Sequence, residues 1–576
     1  MKRLRVHGAP RLKKSIRQRS RRPQLELLED RCVPSNFTAG PLVQVSQGDP
    51  FADCTADDPS HQSGRLYPDS ELEPRVSIDP NDPTHMVGVW QQDRWSDGAA
   101  RGLVAGVTFD GGQDWQEVVI PGLSRCSGGS TLRASDPWVS FSPDGGVYSV
   151  SLSVDGIPAR SAVLVSKSND GGLTWNDPIT LIDDTDPRFF NDKETVTADP
   201  TDSNYAYVLW DRIGPGGRPE MFSRTTDGGQ TWETPRPIFN GGRIDSHIVV
   251  LPDGTLVDLI NGQGLFAMRS TDKGATWSSP VQIAVSQAVQ VRDPDTGAPV
   301  RTSAGTILDG AVDPNNGNLY VVFEDARFSS GRHNGIAFTM STDGGLTWSH
   351  PVQVNQTPTD IPSGDQQAFD PSVQVAADGT VGVTYYDFRF NDPQPGLLTD
   401  YWFVPGSPND SGGIDWGNEV QLTDQSFDLE IAPNANGLFL GDYQGLGVAG
   451  NSFVAFFDQT HDTDPGSIFF RSIDPAGSAP GCGICSASQG ATSLQGFIGI
   501  AQGNRTAFSV FDNIGVPMSS FSVSWSLFAI PVQRLAMPQV GAVIAASSTA
   551  HLDLFMADHS TGDDAIQREA EVVSIE

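Results

Sequence analysis

Along most of this chain, apolar residues alternate with small or polar ones in runs of five to nine, each run broken by Asp, Pro, Gly and Asn. Such alternation over short stretches predicts half-buried β-strands joined by tight turns. The strands come in pairs. Seven paired runs can be read, opening at Arg75, Asp136, Glu194, Ser246, Asp309, Asp370 and Tyr443. After five of the first six pairs comes a turn of fixed composition: TFDGGQDW from Thr108, SNDGGLTW from Ser168, TTDGGQTW from Thr225, STDKGATW from Ser270 and STDGGLTW from Ser341. The hydroxyl and the carboxylate in this pattern are acceptors for turn N–H groups, and the glycine supplies the left-handed backbone that a tight reversal needs. The Trp is expected to pack beside the turn. Copies at intervals of 45 to 71 residues predict a radial array of small sheets.

The pattern S/T-x-D-x-G-x-(T/D)-W resembles the Asp box of sialidases and related β-propellers, and the likeness runs from about Asn36 to Ile473. It implies an all-β propeller with the boxes between third and fourth strands, on the face away from the active site. The paired runs favour seven blades; six, as in sialidases proper, is the alternative. A sixth turn, NDSGGIDW from Asn409, is a degenerate box, and the seventh pair has none. The run PLVQVSQ from Pro41 resembles the blade-ending strands PVQIAV and PVQVNQ, so the N-terminal segment is expected to complete the last blade and hide its edge. Residues 474–576 are expected to form a small β extension ending in an acidic tail.

Charge changes the picture at both ends. The net charge is −33, but the first 35 residues carry 11 basic and 3 acidic side chains, which leaves −41 on the remainder. So acidic a body argues against a nucleic-acid partner. The basic leader, residues 1–35, lacks a signal-peptide apolar run, yet LELLEDRCVPS resembles the leader of certain exported bacterial proteins. Export to the medium or cell surface is therefore expected, with no transmembrane segment. Five cysteines give a candidate Cys54–Cys126 disulfide, while Cys482 and Cys485 are left as a bridge or as free thiols. No cofactor is implied. The short acidic runs at Asp183–Asp186 and Asp462–Asp464 read as solvated turns, and no metal site is assigned.

If the boxes mark one face, the opposite face collects the starts of the first strands and the ends of the second ones, and these are charged. The resemblance implies roles there. Arg75 and Arg94 correspond to arginines that grip a substrate carboxylate, with Arg327, Arg389 or Arg243 as a third; a planar guanidinium suits that task. Asp97 corresponds to the loop acid/base and Tyr443 to the nucleophile, with Asp245 or Glu194 as the acid that activates it. The implied activity is that of an exported exo-α-sialidase acting on a terminal acidic sugar of a glycoconjugate. The rival reading is a non-catalytic propeller that binds a glycan or a protein.

Overall fold

The computed structural model describes residues 37–156, 160–241, 245–302 and 307–476, together with the backbone of four strands between 497 and 557. The leader, Arg243, Cys482 and Cys485 lie outside the described residues. The chain divides into two units, Met1–Gly481 and Cys482–Glu576. Among its described residues the second unit holds one antiparallel sheet in the order Phe497–Gln502, Arg505–Phe511, Pro517–Ser524 and Asp553–Ala557.

In the first unit the alternating runs form antiparallel four-stranded meanders. The first comprises Glu71–Asp79, Asp82–Arg94, Ala100–Thr108 and Gln116–Val119. The next innermost strands are Arg133–Phe141, Phe190–Ala198, Ser246–Val250, Leu308–Val312, Ala368–Val375 and Gly445–Ala449. Each innermost strand neighbours the one before and the one after, and Gly445–Ala449 returns to Glu71–Asp79, so the ring closes. The result is an all-β propeller. Among the described residues, counting one blade per innermost strand gives seven. Sheets one and two are joined through the bridge Ala100↔Ala134.

Ring closure uses the N-terminus. Val43–Gln44 pairs antiparallel with Asp464–Pro475, at Val43↔Phe470 and Gln44↔Phe469, and Phe37–Ala39 pairs further along the same strand. The last sheet is thus built from both ends of the unit, which removes an open edge. A Cys54–Cys126 disulfide ties the segment after this closing strand to the connection between blades one and two. Its 72-residue loop corresponds to roughly 4 kcal/mol of lost unfolded-state entropy.

The five recurring turns, called boxes below, form as their composition predicts. In the fifth, Ser341 Oγ donates to Asp343 Oδ1 at 2.8 Å and accepts from Gly345 N–H, while Asp343 accepts from Thr347 N–H at 2.9 Å and from its hydroxyl at 2.6 Å. The same set recurs at Ser168, Thr225 and Ser270. In the fourth box Lys273 takes the first glycine's place with φ of 57°, and its ammonium reaches Asp199 at 2.6 Å. The Trp side chains do more than pack beside their own turns. Trp115 lies against Phe456 and Phe470 of the last blade, Trp232 against Tyr148, Trp277 against Phe222 and Trp416 against Phe338. Each Trp therefore staples its blade to the preceding one. Basic side chains from the preceding blade also cap box carbonyls: His85 on Gly171, Lys167 on Gly228 and Arg224 on Lys273.

Candidate functional site

Strand direction sets the opposite face. An innermost strand runs down to its hairpin, the second returns, and the third descends to the box, so the starts of the first strands and the loops after the second share the far end. Five of those starts carry a non-glycine residue with positive φ: Glu73 (55°), Asp136 (51°), Lys193 (53°), Asp245 (99°) and Asp370 (47°). At four of them the pairing slips, between Leu72 and Arg75, Ser135 and Trp138, Asp192 and Thr195, and Phe369 and Ser372. These are β-bulges, which re-aim a side chain at modest backbone cost. The side chains of Glu73, Asp136 and Lys193 meet around the axis.

Lys193 is the hub. Its ammonium lies 2.7 Å from Asp442, 3.2 Å from Glu73 and 3.6 Å from Asp136, with all four side chains under 9% exposed. Burial would lower the Lys193 pKa, but the three carboxylates raise it well above the ordinary lysine value. Burial likewise opposes ionisation of Asp442, yet Lys193 and Arg301 hold its carboxyl far below the usual range. Glu73 receives the Asp442 N–H and the Gln91 side-chain amide, and burial pushes it up to about 7. Gly441 explains the close seam between last and first blades: its φ is 117°, and a Cβ there would meet the Glu73 backbone at 2.9 Å.

Beside this hub stands an aromatic group. The Arg75 guanidinium lies over the Trp138 ring at 3.7 Å and 5.0 Å from the centre of Tyr443, and it pairs with Asp309 at 3.5 Å. Trp138 and Tyr443 meet edge to face at 5.4 Å. The Tyr443 hydroxyl donates to the Pro137 carbonyl at 3.1 Å. Burial, then the charges of Glu73 and Asp136, push its pKa well above the ordinary tyrosine value. His247 closes the far side with Nε2 3.3 Å from the Gly310 carbonyl oxygen, and burial lowers its pKa.

The residues expected from the sequence divide into two groups. Arg75, Arg94, Tyr443, Asp245 and Glu194 are brought to the axis. Arg94 bonds Gln91 at 2.5 Å and stands 5.0 Å from the Phe439 ring, on which Arg301 also lies at 4.2 Å. Asp245 accepts from Leu308 N–H and donates its own N–H to Asp211, and burial pushes it up to about 7. Glu194 is buried with neither carboxylate oxygen hydrogen-bonded. The acids whose charge bears most on Tyr443 are Glu73 and Asp136, not Asp245 or Glu194. Asp97 stays in its loop, gripped by Arg133 at 2.7 Å and Ser63 at 2.6 Å. Burial would raise its pKa, but these two hydrogen bonds outweigh it and hold the carboxyl below the usual range. Arg327 pairs with Asp325 and donates to the Val285 carbonyl of the preceding blade at 2.6 Å, and Arg389 pairs with Asp387 and Glu419, so these two serve as loop locks. Of the acidic turn, Asp183 pairs with Arg160, Asp184 with Arg212 and Asp186 with Arg188.

Sequence reading assigned no role to Lys193, Trp138 or Arg301. The first two sit at the expected strand starts, but a repeat pattern gives no hint of which start is central. Arg301 comes from the long connection between blades four and five, where two strand-like stretches flank Asp293–Gly297 and pair at Arg292↔Pro299. That hairpin reaches Leu438 through a parallel bridge from Val300, which carries Arg301 to Asp442 at 3.1 Å.

No family model matches the chain, and no curated protein does. Solved structures do. A Hadza microbial sialidase shares 17% identity over 67% of this chain and 76% of its own, with a TM-score of 0.38. The Penicillium chrysogenum alpha-L-arabinanase shares 12% over 76% and 98%, with 0.41. A mutant of NanB sialidase from Streptococcus pneumoniae shares 13% over 71% and 68%, with 0.37. Among the described residues, no helix is long and apolar enough to cross a membrane.

Proposed function

We propose that this chain is an exported, sialidase-like propeller that recognises the terminal sugar of a glycan at its axis without cleaving it. The observation that carries this reading is the state of Tyr443. Its hydroxyl is committed to a main-chain carbonyl, and burial followed by the charges of Glu73 and Asp136 raises its pKa, with neither carboxylate hydrogen-bonded to the hydroxyl. A tyrosine nucleophile needs a base within hydrogen-bond reach of its proton. The loop acid expected of a hydrolase, Asp97, is ionised and clamped by Arg133, the wrong state for protonating a leaving group. What remains is a recognition surface: the partly exposed Trp138 ring, backed by the buried Tyr443 and set beside fixed polar groups, the usual make-up of a small-ligand site.

A retaining hydrolase is the second reading. It is favoured by one feature, the gathering of Arg75, Trp138 and Tyr443 beside the ionised Asp136 and by Glu73, whose pKa is near 7. Environments that push two neighbouring carboxyls apart are how acid and base roles are assigned. The test uses the purified full-length chain on a glycan array and, in parallel, on fluorogenic sialosides and uncharged glycosides. Saturable binding that survives Tyr443→Phe and is lost in Trp138→Ala, without turnover, is expected. Turnover abolished by Tyr443→Phe would establish the hydrolase instead, and absence of any glycan binding would overturn both readings.

A further inference from the structure

The axial cations of this propeller differ from those of a bare carboxylate trap in one respect: Lys193, Arg75 and Arg301 are already ion-paired, and the fourth, Arg94, is only 3% exposed. Lys193 has Asp442, Glu73 and Asp136 within 3.6 Å. Arg301, the most exposed of the group at 31% side-chain exposure, spends Nη2 on Asp442 and Nη1 on the Ala435 carbonyl. Arg75 is covered on one face by Trp138 and holds Asp309. Arg94 is bound to Gln91 and covered by Phe439. The Nε atoms of Arg75 and Arg94 lack partners, but both are themselves buried out of a ligand's reach. Four cationic groups therefore face Glu73, Asp136, Asp309 and Asp442, with Asp192, Glu194 and Asp245 close behind and unmatched by further cations among the described residues.

From this pairing we infer that the sugar held at the axis carries no carboxylate. A ligand carboxylate would have to displace a protein carboxylate from Lys193, Arg75 or Arg301, leaving that displaced charge buried without a partner. Sugar hydroxyls make the opposite demand. They donate, and ionised carboxylates are acceptors only, each with several lone-pair sites, so Asp136, Asp309 and Asp442 can keep their cations and still accept a hydroxyl. The apolar face of an uncharged pyranose or furanose would lie on Trp138, the partly exposed ring that also stacks the Arg75 guanidinium. This inference rests on the reading of the axis as a glycan site and narrows it to a substrate class.

The experiment compares one sugar in two charge states. Sialylated glycans are arrayed as free acids and as methyl esters, beside uncharged glycans, and binding of the full-length protein is measured at one ionic strength. Esters or uncharged glycans should bind at least about tenfold more tightly than the free acids, a difference of about 1.4 kcal/mol. The Asp309→Asn variant keeps the acceptor that Val373 N–H uses, at 2.9 Å, while releasing Arg75, and it should shift the acid-to-ester ratio towards the acid. Preference of the wild type for the free acid would overturn this inference and leave the glycan site standing. An acid-to-ester ratio unchanged by Asp309→Asn would show that cation pairing is not the cause of the preference, which also overturns it. Absence of binding to every glycan would overturn the site itself and the inference with it.

Discussion

The two faces of the propeller are both polar, and they are polar in opposite ways. On the box face one pattern recurs in five turns with few changes, its central carboxylate is largely exposed, and that carboxylate is answered each time by hydroxyl and N–H donors. Asp227 and Asp272 are held at about 2 by the Thr231 and Thr276 hydroxyls first of all. On the axial face the equivalent strand starts carry different residues: Glu73, Asp136, Lys193, Asp245 and Asp370. They are buried, and burial pushes Glu73, Asp192, Asp245 and Glu324 up to about 7. Sameness from blade to blade marks what the architecture needs. Difference at equivalent positions, with backbone strain retained at each, marks a place where blades have taken separate roles.

The strongest way to break this comparison is to remove the axial hub. Lys193→Met leaves Glu73, Asp136 and Asp442 without their shared cation, and one-sided removal of a buried charge partner costs about 3–5 kcal/mol, here near the upper end. The loss should shrink when the measurement is repeated near pH 5, because the orphaned carboxyls then bind protons. Chemical denaturation at both pH values checks this. A loss under about 1 kcal/mol at pH 8 would mean that the acids are solvated rather than buried.

A slightly smaller effect is expected on the other face. Trp115→Ala removes a ring packed on Phe456 and Phe470 of the closing blade and should cost about 3–4 kcal/mol. Trp348, which is only partly buried, should cost less under the same change. Glycan binding should fall only through unfolding in either variant. A Trp115→Ala protein with unchanged melting but no ligand binding would place the site on the box face.

The smallest effect separates the faces by titration. Axial carboxyls with folded pKa values near 7 and unfolded values near 4 bind protons on folding. Their contribution is complete below about pH 4 and is lost as pH rises through 7. Asp442, Asp227 and Asp272 are depressed in the fold, so their contribution is present above about pH 4 and lost as pH falls below it. The melting temperature should therefore be highest near pH 5 and several degrees lower at pH 8. A monotonic rise from pH 4 to pH 8 in differential scanning calorimetry would contradict the burial of the axial acids.

Sequence reading found the box turns because their chemistry is local. Ser341, Asp343, Gly345 and Thr347 satisfy one another within seven residues, and any chain carrying that pattern makes that turn. It found the closing strand for a related reason, since Val43 and Gln44 sit in a run patterned like other outer strands. It placed Arg75 and Tyr443 at the axis because both open first strands. Pairing was a different matter. That Arg133 would take Asp97, that Arg327 and Arg389 would turn to acids of their own blades, and that Lys193 would sit among three carboxylates depend on contacts between residues from 36 to 249 positions apart or on choices among nearby acids. Arg301 reaches Asp442 across 141 positions through a hairpin that belongs to no blade.

What the sequence alone determined, then, is the repeat: strands by alternation, turns by their own hydrogen bonds, and the two faces by strand direction. What only the tertiary structure decided is which charges neutralise which. Alternation and turn chemistry act over a few residues and are written in order along the chain. Ion pairing at an axis depends on where seven strand starts converge, and it is settled there by burial, which leaves no buried charge stable without a partner drawn from whichever blade brings one within reach.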